Sequence, residues 1–162
     1  MPAKRSAGLL VFRRARNHEL EVLLVHPGGP FWARRDERSW SIPKGEHEES
    51  EDAFAAARRE FEEELGREPP RGEPLDLGSV VQSNGKHVRA WAIEGDLDAS
   101  QITSNNVEIE WPPRSGRRAR FPEVDRAEWF DLATAREKLV AAQAQFIDRL
   151  AERAAGGGDG VR

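Results

Sequence analysis

The sequence predicts an α/β sandwich, in which helices cover both faces of one β-sheet. Short apolar runs rich in leucine and valine recur along the chain between polar links, which is typical of strands. Two longer segments carry apolar residues at helical spacing, so each of these helices has one face to pack on the sheet. The length of 162 residues, without an internal repeat, suits one compact domain.

The N-terminal part of the chain is predicted to form two strands followed by a loop. The apolar runs at 6–12 and 20–26 are joined by a polar link, so we assign them to two strands of one sheet. Residues 27–40 contain the prolines and glycines that mark a loop. Phe31 and Trp32 are unusual in such a loop, and they are either buried or used for stacking.

The first helix is predicted to begin after Ser50, a good N-cap, and to end at Leu65 with Gly66 as its C-cap. Each residue of a helix is rotated by about 100° from the one before it, and at this spacing four apolar residues form one stripe that should face the sheet. The stripe consists of Phe54, Ala57, Phe61 and Leu65.

The second half of the chain is predicted to add three strands and one helix. The strands are expected at 75–81, 87–93 and 127–132. The helix is expected to open at Thr134, which fits a capping box with Glu137. Its apolar stripe comprises Ala135, Leu139, Ala142, Phe146 and Leu150. The segment 94–126 contains paired prolines and an arginine cluster, and it is expected to be mostly loop.

Composition predicts a soluble cytoplasmic protein with one domain over 1–155 and a flexible glycine-rich tail at 156–162. The net charge of −4 gives no general attraction to nucleic acid or to anionic membranes. The absence of cysteine is compatible with a reducing cytoplasm. The N-terminal apolar run is too short for a signal peptide core or a membrane span, so no membrane partner is expected.

The first helix carries an unusual concentration of negative charge, with four glutamates within five residues. Helical spacing brings Glu60, Glu63 and Glu64 together beside the apolar stripe and places Glu62 on the other flank. Three convergent carboxylates suit a hard divalent cation such as Mg²⁺ or Mn²⁺, which prefers oxygen ligands. The alternative is a solvated acidic face that neighbouring cationic side chains compensate.

The residues around these glutamates follow a specific spacing. The chain reads Gly45, five residues, Glu51, seven residues, and then Arg59-Glu60-Phe61-Glu62-Glu63-Glu64-Leu65-Gly66. This pattern resembles the Nudix box, the signature of the MutT-like Nudix hydrolase family. Every fixed position matches except the last, where Arg67 replaces an apolar residue.

The resemblance implies a Nudix fold, an α/β/α sandwich with a mixed β-sheet and a loop–helix–loop catalytic box. The metal ligands that it implies on the helix are Glu60, Glu63 and Glu64. Arg59 and Glu51 would form an internal ion pair that shapes the loop, and Gly66 completes the box. Gly45 would permit a tight turn, so that a backbone carbonyl at Lys44–Gly45 approaches the metal.

The resemblance also implies Mg²⁺-dependent hydrolysis of a nucleoside diphosphate linked to another moiety, with Mn²⁺ as a possible substitute. Bound cations neutralise the phosphate oxygens and lower the pKa of the attacking water. A general base then takes the water's proton, and Glu63 is one candidate. Glu123 is another candidate base or ligand, because it lies before the last strand, where several Nudix enzymes carry a further glutamate. The alternative for Glu123 is a surface turn residue.

Candidate substrate-binding residues follow from the chemistry of a nucleotide. Lys44, Lys86 and an arginine cluster that includes Arg118 are candidates to bind polyphosphate, although solvated loop charges are the alternative for the arginines. Trp32 is a candidate to stack a base, and it could equally be core. The chain has no tyrosine, so it lacks the tyrosine that follows the box in many diadenosine tetraphosphate hydrolases.

We therefore predict a pyrophosphohydrolase that acts on a small nucleoside polyphosphate, either a dinucleoside polyphosphate or a nucleoside triphosphate. Two alternatives belong to other functional classes. One is a catalytically weak binding or regulatory module with the same fold. The other is an RNA 5′-end pyrophosphohydrolase, for which the arginine-rich loop is the support and the acidic net charge is the objection.

Overall fold

The architecture is a mixed β-sheet with helices on both faces, which confirms the predicted α/β/α sandwich. The computed structural model describes the backbone of residues 4–160 and the side chains of residues 4–154. The strands within this range are β1 (Arg5–Arg14), β2 (Leu20–Pro27), β3 (Lys44–Glu46), β4 (Leu75–Val81), β5 (His87–Glu94), β6 (Asn106–Glu110), β7 (Arg118–Pro122) and β8 (Val124–Asp131). The α-helices are α1 (Ala53–Leu65), α2 (Leu132–Lys138) and α3 (Ala144–Gly160).

The main sheet has the strand order β4-β5-β1-β2-β8, and β1 divides one of its edges between two partners. Near its start β1 pairs with β3, where Ala7 lies opposite Gly45. Further along it pairs with β2, where Phe12 lies opposite Val22. On its other edge β1 pairs with β5 in parallel, and the remaining pairs are antiparallel. The change of partner along β1 leaves space between β2 and β3.

Alternate residues of the strands pack into separate cores on the two faces of the sheet. On one face Ala7, Leu9 and Val11 of β1 contact the core that includes α1. Leu10 and Phe12, which alternate with Leu9 and Val11 along β1, belong to the core under α2 and α3. The predicted helical stripe is confirmed, because Ala57, Phe61 and Leu65 are fully buried and Phe54 packs beside them.

Helix α1 ends as predicted but begins two residues later than the sequence suggests. Gly66 is its C-cap, with a left-handed φ of 68°, and its N–H donates to the carbonyl of Glu62. The N-cap is Asp52, and not Ser50, because the Asp52 carboxylate accepts from the Ala55 N–H at 2.9 Å. Asp and Ser cap helices about equally well, so residue type alone does not separate two such positions this close together.

The Asp52→Ala substitution is expected to lower the free energy of unfolding by about 1 kcal/mol, because the first turn of α1 loses its side-chain acceptor. Urea denaturation followed by circular dichroism measures this change. Ser50→Ala is the matched control and is expected to change stability by less than about 0.5 kcal/mol. Equal destabilisation by the two substitutions would contradict the assignment of Asp52 as the cap.

The second predicted helix is divided into two helices in the structure. Helix α2 is capped by Asp131, which accepts from the Thr134 N–H, so Thr134 is not the N-cap. The helix ends where Leu139 adopts an extended conformation beside Trp40, and a short 3₁₀ turn then leads into α3. The predicted apolar residues Ala135, Leu139, Phe146 and Leu150 are nevertheless fully buried, and Ala142 packs against the same core.

A β-hairpin occupies part of the segment 94–126, for which the sequence predicts mostly loop. Strands β6 and β7 form a separate two-stranded sheet, in which Ile109 lies opposite Ala119 and Val107 opposite Phe121. The opposite face of the hairpin carries charged side chains, so each strand alone contains only a few apolar residues. The prediction of a loop is therefore wrong for these ten residues.

Helix α3 reaches Gly160, and its backbone extends into the segment 156–162 that the sequence predicts to be a flexible tail. Residues 161 and 162 lie outside the described residues, and the domain limit at residue 155 remains a prediction. None of the helices within residues 4–160 combines the length and the apolar character that a membrane span requires.

Candidate active site

The space between β2 and β3 contains a cavity of about 200 Å³ in which charged side chains meet apolar ones. Its charged lining comes from Lys44 at the start of β3, Glu64 on α1 and Glu123 just before β8. Its apolar lining includes Val25, Ile42 and Val124. The box helix, the loop before it and the start of β8 therefore meet at one place.

Glu64 is the most buried carboxylate of this site, with 8% of its surface exposed. Its Oε1 accepts from the backbone N–H of Lys44 at 3.3 Å. Burial, followed by the nearby charge of Glu123, raises the pKa of Glu64 to about 8. For Lys44, burial and the nearby Lys86 ammonium lower the side-chain pKa. Each of these two groups is thus held in surroundings that disfavour its charge.

Glu60 lies directly against the backbone of Gly45. A Cβ atom built on Gly45 would come within 2.0 Å of Glu60 Oε1, so only glycine leaves room for this carboxylate. The pairing of Gly45 with Ala7 fixes β3 at the sheet edge. Burial and the charge of Glu63 raise the pKa of Glu60, and the Arg59 guanidinium opposes this shift.

Arg59 connects the loop before α1 to the glutamates on it. Its guanidinium donates to both carboxylate oxygens of Glu51, with bonds of 3.0–3.2 Å. It also donates to Glu60 Oε2 at 2.7 Å and lies 3.6 Å from Glu63 Oε2. The ion pair with Glu51 therefore belongs to a larger network that holds Glu60 and Glu63 on the Arg59 side of the helix. Glu62 is exposed on the other flank.

Glu123 is held in place by its backbone. Its N–H donates to the carbonyl of Asn105 at 2.7 Å, and its carbonyl accepts from the Gly28 N–H at 3.0 Å. Burial raises the pKa of the Glu123 carboxyl, and the charges of Glu60 and Glu63 raise it further. Glu60, Glu64 and Glu123 thus form one cluster of mutually repelling carboxylates, which we call the carboxylate cluster.

The carboxylate cluster fits a divalent cation by its chemistry. All of its donors are oxygens, which Mg²⁺ and Mn²⁺ prefer, and burial together with neighbouring carboxylates raises the pKa of each member. Among the side chains that the structure describes, residues 4–154, no three His, Asp or Glu are already arranged as a complete metal site. Glu63 departs furthest from the predicted convergence, because its half-exposed side chain lies beside Arg59.

The candidate phosphate ligands differ in their distance from the cluster. Lys86 precedes β5 and pairs with Glu46 at 3.0 Å, close enough to Lys44 to influence its pKa. Arg118 lies near the turn of the β6–β7 hairpin and pairs with Glu108 at 2.6 Å. Glu123 is five positions after Arg118 along an extended strand, which corresponds to about 16 Å. Lys44 lines the cavity and Lys86 lies near Lys44, whereas Arg118 does not line the cavity.

Trp32 lies in the loop that borders the site rather than in the core. Its ring meets that of Phe31 edge to face, with ring centroids 5.0 Å apart. The Arg35 guanidinium lies over Phe31 at 4.5 Å and over Trp32 at 5.8 Å. Phe31 is 56% exposed, so the loop presents an aromatic surface to solvent.

One site-bordering residue, His26, was not singled out from the sequence. It is fully buried at the end of β2 and contacts Asp125 through Nδ1 at 3.0 Å. Its Nε2 donates to the carbonyl of Arg35 at 2.6 Å, which anchors the aromatic loop to the sheet. Its position at the end of an apolar strand could have identified it from the sequence. A histidine there is expected to be buried, and a buried imidazole requires polar partners.

Comparison with models of protein families shows which family the chain belongs to. The model of the NUDIX domain matches residues 2–150, which is most of the chain. The chain belongs to the NUDIX family. This confirms the Nudix fold and the resemblance of the box, and it makes the protein a hydrolase that acts on phosphoanhydride bonds. Comparison with curated protein sequences gives no significant match.

Solved structures with the same fold share little sequence with this NUDIX protein. A binary complex of Caenorhabditis elegans Ap4A hydrolase superposes with a TM-score of 0.67 at 20% identity, covering 95% of this chain and 99% of that one. The NUDIX domain of Shewanella oneidensis NrtR, complexed with ADP ribose, gives 0.62 at 19% identity, covering 95% and 90%. A mutT/nudix family protein from Listeria innocua gives 0.62 at 15% identity, covering 97% of both chains. At these identities the likeness shows the fold.

Proposed function

We propose that this NUDIX protein is a Mg²⁺-dependent pyrophosphohydrolase that cleaves a phosphoanhydride bond in a small nucleoside polyphosphate. The observation that carries the proposal is the carboxylate cluster, in which burial and then neighbouring carboxylates raise the pKa of Glu60, Glu64 and Glu123 beside the glycine turn of the box. Side chains that only decorate a solvated helix face would not be buried together with unneutralised charge. The complete set of box carboxylates supports an enzyme over a binding module.

The residues that would hold the cation are Glu60, Glu63, Glu64 and Glu123, together with a carbonyl at Lys44–Gly45. When bound, a divalent cation supplies positive charge to the phosphate oxygens and lowers the pKa of the attacking water. Gly45 keeps the Glu60 carboxylate against the strand, and Arg59 holds Glu60 and Glu63 in one network. Lys44 offers its ammonium group to a phosphate oxygen inside the cavity.

Glu123 is the carboxylate that we assign as general base. A base works best when its pKa is close to the working pH, and burial beside Glu60 moves the pKa of Glu123 upward. Its fixed backbone, bonded on both sides, holds the side chain at the mouth of the cavity. Glu63 is half-exposed and lies 3.6 Å from the Arg59 guanidinium, so we leave it among the residues that would hold the cation.

The Glu123→Gln substitution is expected to lower kcat by about a hundredfold with little change in KM, because the amide cannot accept the proton. The rate profile of the wild type against pH should show an acidic limb, and this limb should be lost in the variant. Steady-state kinetics across pH measures both effects. A variant that retains wild-type kcat would remove Glu123 from the reaction.

The substrate proposal rests on the loop that borders the cavity. Phe31 and Trp32 offer an aromatic surface to a base, and Gly28 of the same loop is bonded to Glu123. The structurally similar proteins include an Ap4A hydrolase and a domain bound to ADP ribose, both of which handle a nucleoside joined to a phosphoanhydride. We therefore propose a dinucleoside polyphosphate or a nucleoside triphosphate as substrate.

A substrate screen tests the proposed function directly. Purified protein is incubated with dinucleoside polyphosphates, nucleoside triphosphates, nucleotide sugars and capped RNA, with Mg²⁺ and with chelator, and the products are separated. Cleavage of a small nucleotide only with the metal is expected. Glu62→Gln, which alters an exposed glutamate of the same helix, should retain full activity. Absence of cleavage in Mg²⁺ and in Mn²⁺ would refute the enzyme, and preference for capped RNA would refute the substrate class.

A further inference from the structure

A second cavity lies on the α1 face of the sheet and shares no lining residue with the cavity of the carboxylate cluster. Its volume is about 320 Å³, at the lower end of the range for small-molecule pockets. It is bordered by β1, β4 and β5, by the residue that follows β3 and by the first residue of α1. The polar side chains that line it include Arg5, His47, Ser79, His87 and Arg89. We call it the arginine pocket.

Strand pairing explains why these residues meet. Parallel pairing of β1 with β5 sets Arg5 beside His87, and antiparallel pairing of β4 with β5 sets Ser79 beside Arg89. Arg89 and His87 are two residues apart, so their side chains point to the same face of β5. That face is the α1 side, because Arg89 stacks over Trp91 at 4.6 Å and Trp91 belongs to the α1 core.

The positive charge of the arginine pocket is only partly compensated. Arg89 donates to Asp76 at 2.7 Å, and Arg5 lies a loose 3.9 Å from Glu49. Both pairs are exposed at the protein surface, where such pairs contribute little. Neither acidic partner lines the pocket, so the lining holds two arginines and no carboxylate.

The acidic segment before α1 does not fill the pocket either. Glu51 is directed to Arg59, and Asp52 caps the helix through the Ala55 N–H. Ala53, the first residue of α1, does line the pocket, and N–H groups of a first helical turn have no partner within the helix. Two arginines, two histidines, a serine and the first residue of α1 therefore border one cavity whose lining contains no carboxylate.

We propose that the arginine pocket binds a phosphate group of a small phosphorylated ligand. Arginine offers paired N–H donors that match phosphate oxygens, and a helix N-terminus adds a favourable dipole. The phosphate belongs either to a separate ligand or to a distal part of the substrate. Ala53 lies seven residues before Glu60 on α1, about 10 Å along the helix, which is within reach of a polyphosphate chain.

Phosphate titration in chelator tests the pocket without any turnover. Backbone amide resonances of Ala53 and Ser79 are followed by NMR as inorganic phosphate is added to the wild type. Saturable shifts are expected, and Arg5→Gln combined with Arg89→Gln should weaken binding by at least about tenfold. Ser79→Glu should also weaken phosphate binding, because it places a carboxylate in the pocket. Ser79 is exposed, so this substitution should not prevent folding.

Arg13→Gln is the matched control for the arginine variants. Arg13 also stacks on a tryptophan, Trp129, at 4.0 Å and also pairs with an aspartate, Asp96, at 2.7 Å. The cavity beside it is lined by Asp96 and Asp98, so it should not attract phosphate. Phosphate binding that is absent in the wild type, or equal in all variants, would overturn the proposal.

Kinetics in Mg²⁺ then distinguish the two sources of the phosphate group. If it belongs to the substrate, the double arginine variant should raise KM and leave kcat unchanged. If it belongs to a separate ligand, KM in phosphate-free buffer should be that of the wild type. Because binding is measured in chelator without substrate, an inactive protein would refute the proposed function and leave the pocket unaffected.

Discussion

Replacing Glu64 with glutamine is expected to slow hydrolysis severely and, at about pH 8 and above, to make the metal-free protein more stable than the wild type. Burial and the Glu123 charge raise the pKa of Glu64 from 4.5 to about 8. A carboxyl with a higher pKa in the folded state favours folding while it is protonated. The wild type therefore loses stability as the pH rises from about 4.5 to about 8, by an amount on the order of 3 to 5 kcal/mol.

The glutamine amide stays neutral, so the variant should not show this loss of stability. Its activity should fall by about a thousandfold, because a neutral amide is a poor ligand for a hard cation. Urea denaturation in chelator at several pH values measures the first effect, and steady-state kinetics in Mg²⁺ the second. Glu62→Gln is the control on the same helix, since Glu62 is exposed and should change neither property.

Metal addition supplies a second measurement on the same variant. Mg²⁺ should raise the melting temperature of the wild type more at pH 8 than at pH 6, because protons compete with the cation for the cluster. The Glu64→Gln variant should lose most of this increment. A variant that is less stable than the wild type at pH 8 in chelator, or one that hydrolyses nucleotides at the wild-type rate, would contradict the role given to Glu64.

Helix α1 shows how far the sequence predicts the fold. Its apolar stripe, its C-cap glycine and its outward Glu62 follow from spacing alone, because a helix fixes the direction of each side chain. The β6–β7 hairpin could not be predicted in this way. Its apolar residues, such as Ile109 and Phe121, gain a shared face only when two charge-rich strands pair, and pairing is a long-range event.

The carboxylate cluster and the arginine pocket differ in how far the sequence predicts them. Helical spacing predicts that Glu60 and Glu64 lie together, and the resemblance to the Nudix box adds Gly45 to them. The position of Glu63 beside Arg59 was not predicted, since helical spacing ignores the reach of a long neighbouring side chain. The arginine pocket depends on the register of β1 against β5, which joins distant residues such as Arg5 and His87 and leaves no local pattern.

The Gly45→Ala substitution is expected to lower kcat on the order of several hundredfold while leaving the fold intact. The added methyl group would lie 2.0 Å from Glu60 Oε1, so the carboxylate must move away from the strand. The displaced atoms form the end of a flexible side chain that is partly exposed, which lets the protein relax at little cost. The free energy of unfolding should therefore change by less than about 1 kcal/mol.

Combining Gly45→Ala with Glu60→Gln separates displacement of Glu60 from other effects of the methyl group. If Gly45 acts only by leaving room for the Glu60 carboxylate, the methyl group can harm activity only by displacing that carboxylate. In Glu60→Gln the carboxylate is already gone, so the methyl group should cause no further loss. The double variant should then be no less active than Glu60→Gln alone, which is the non-additivity expected of residues in direct contact. If instead the fold-losses in kcat of the two single variants multiply in the double variant, Gly45 contributes through its own backbone. Thermal unfolding of all three variants shows whether each kinetic effect arises in a folded protein.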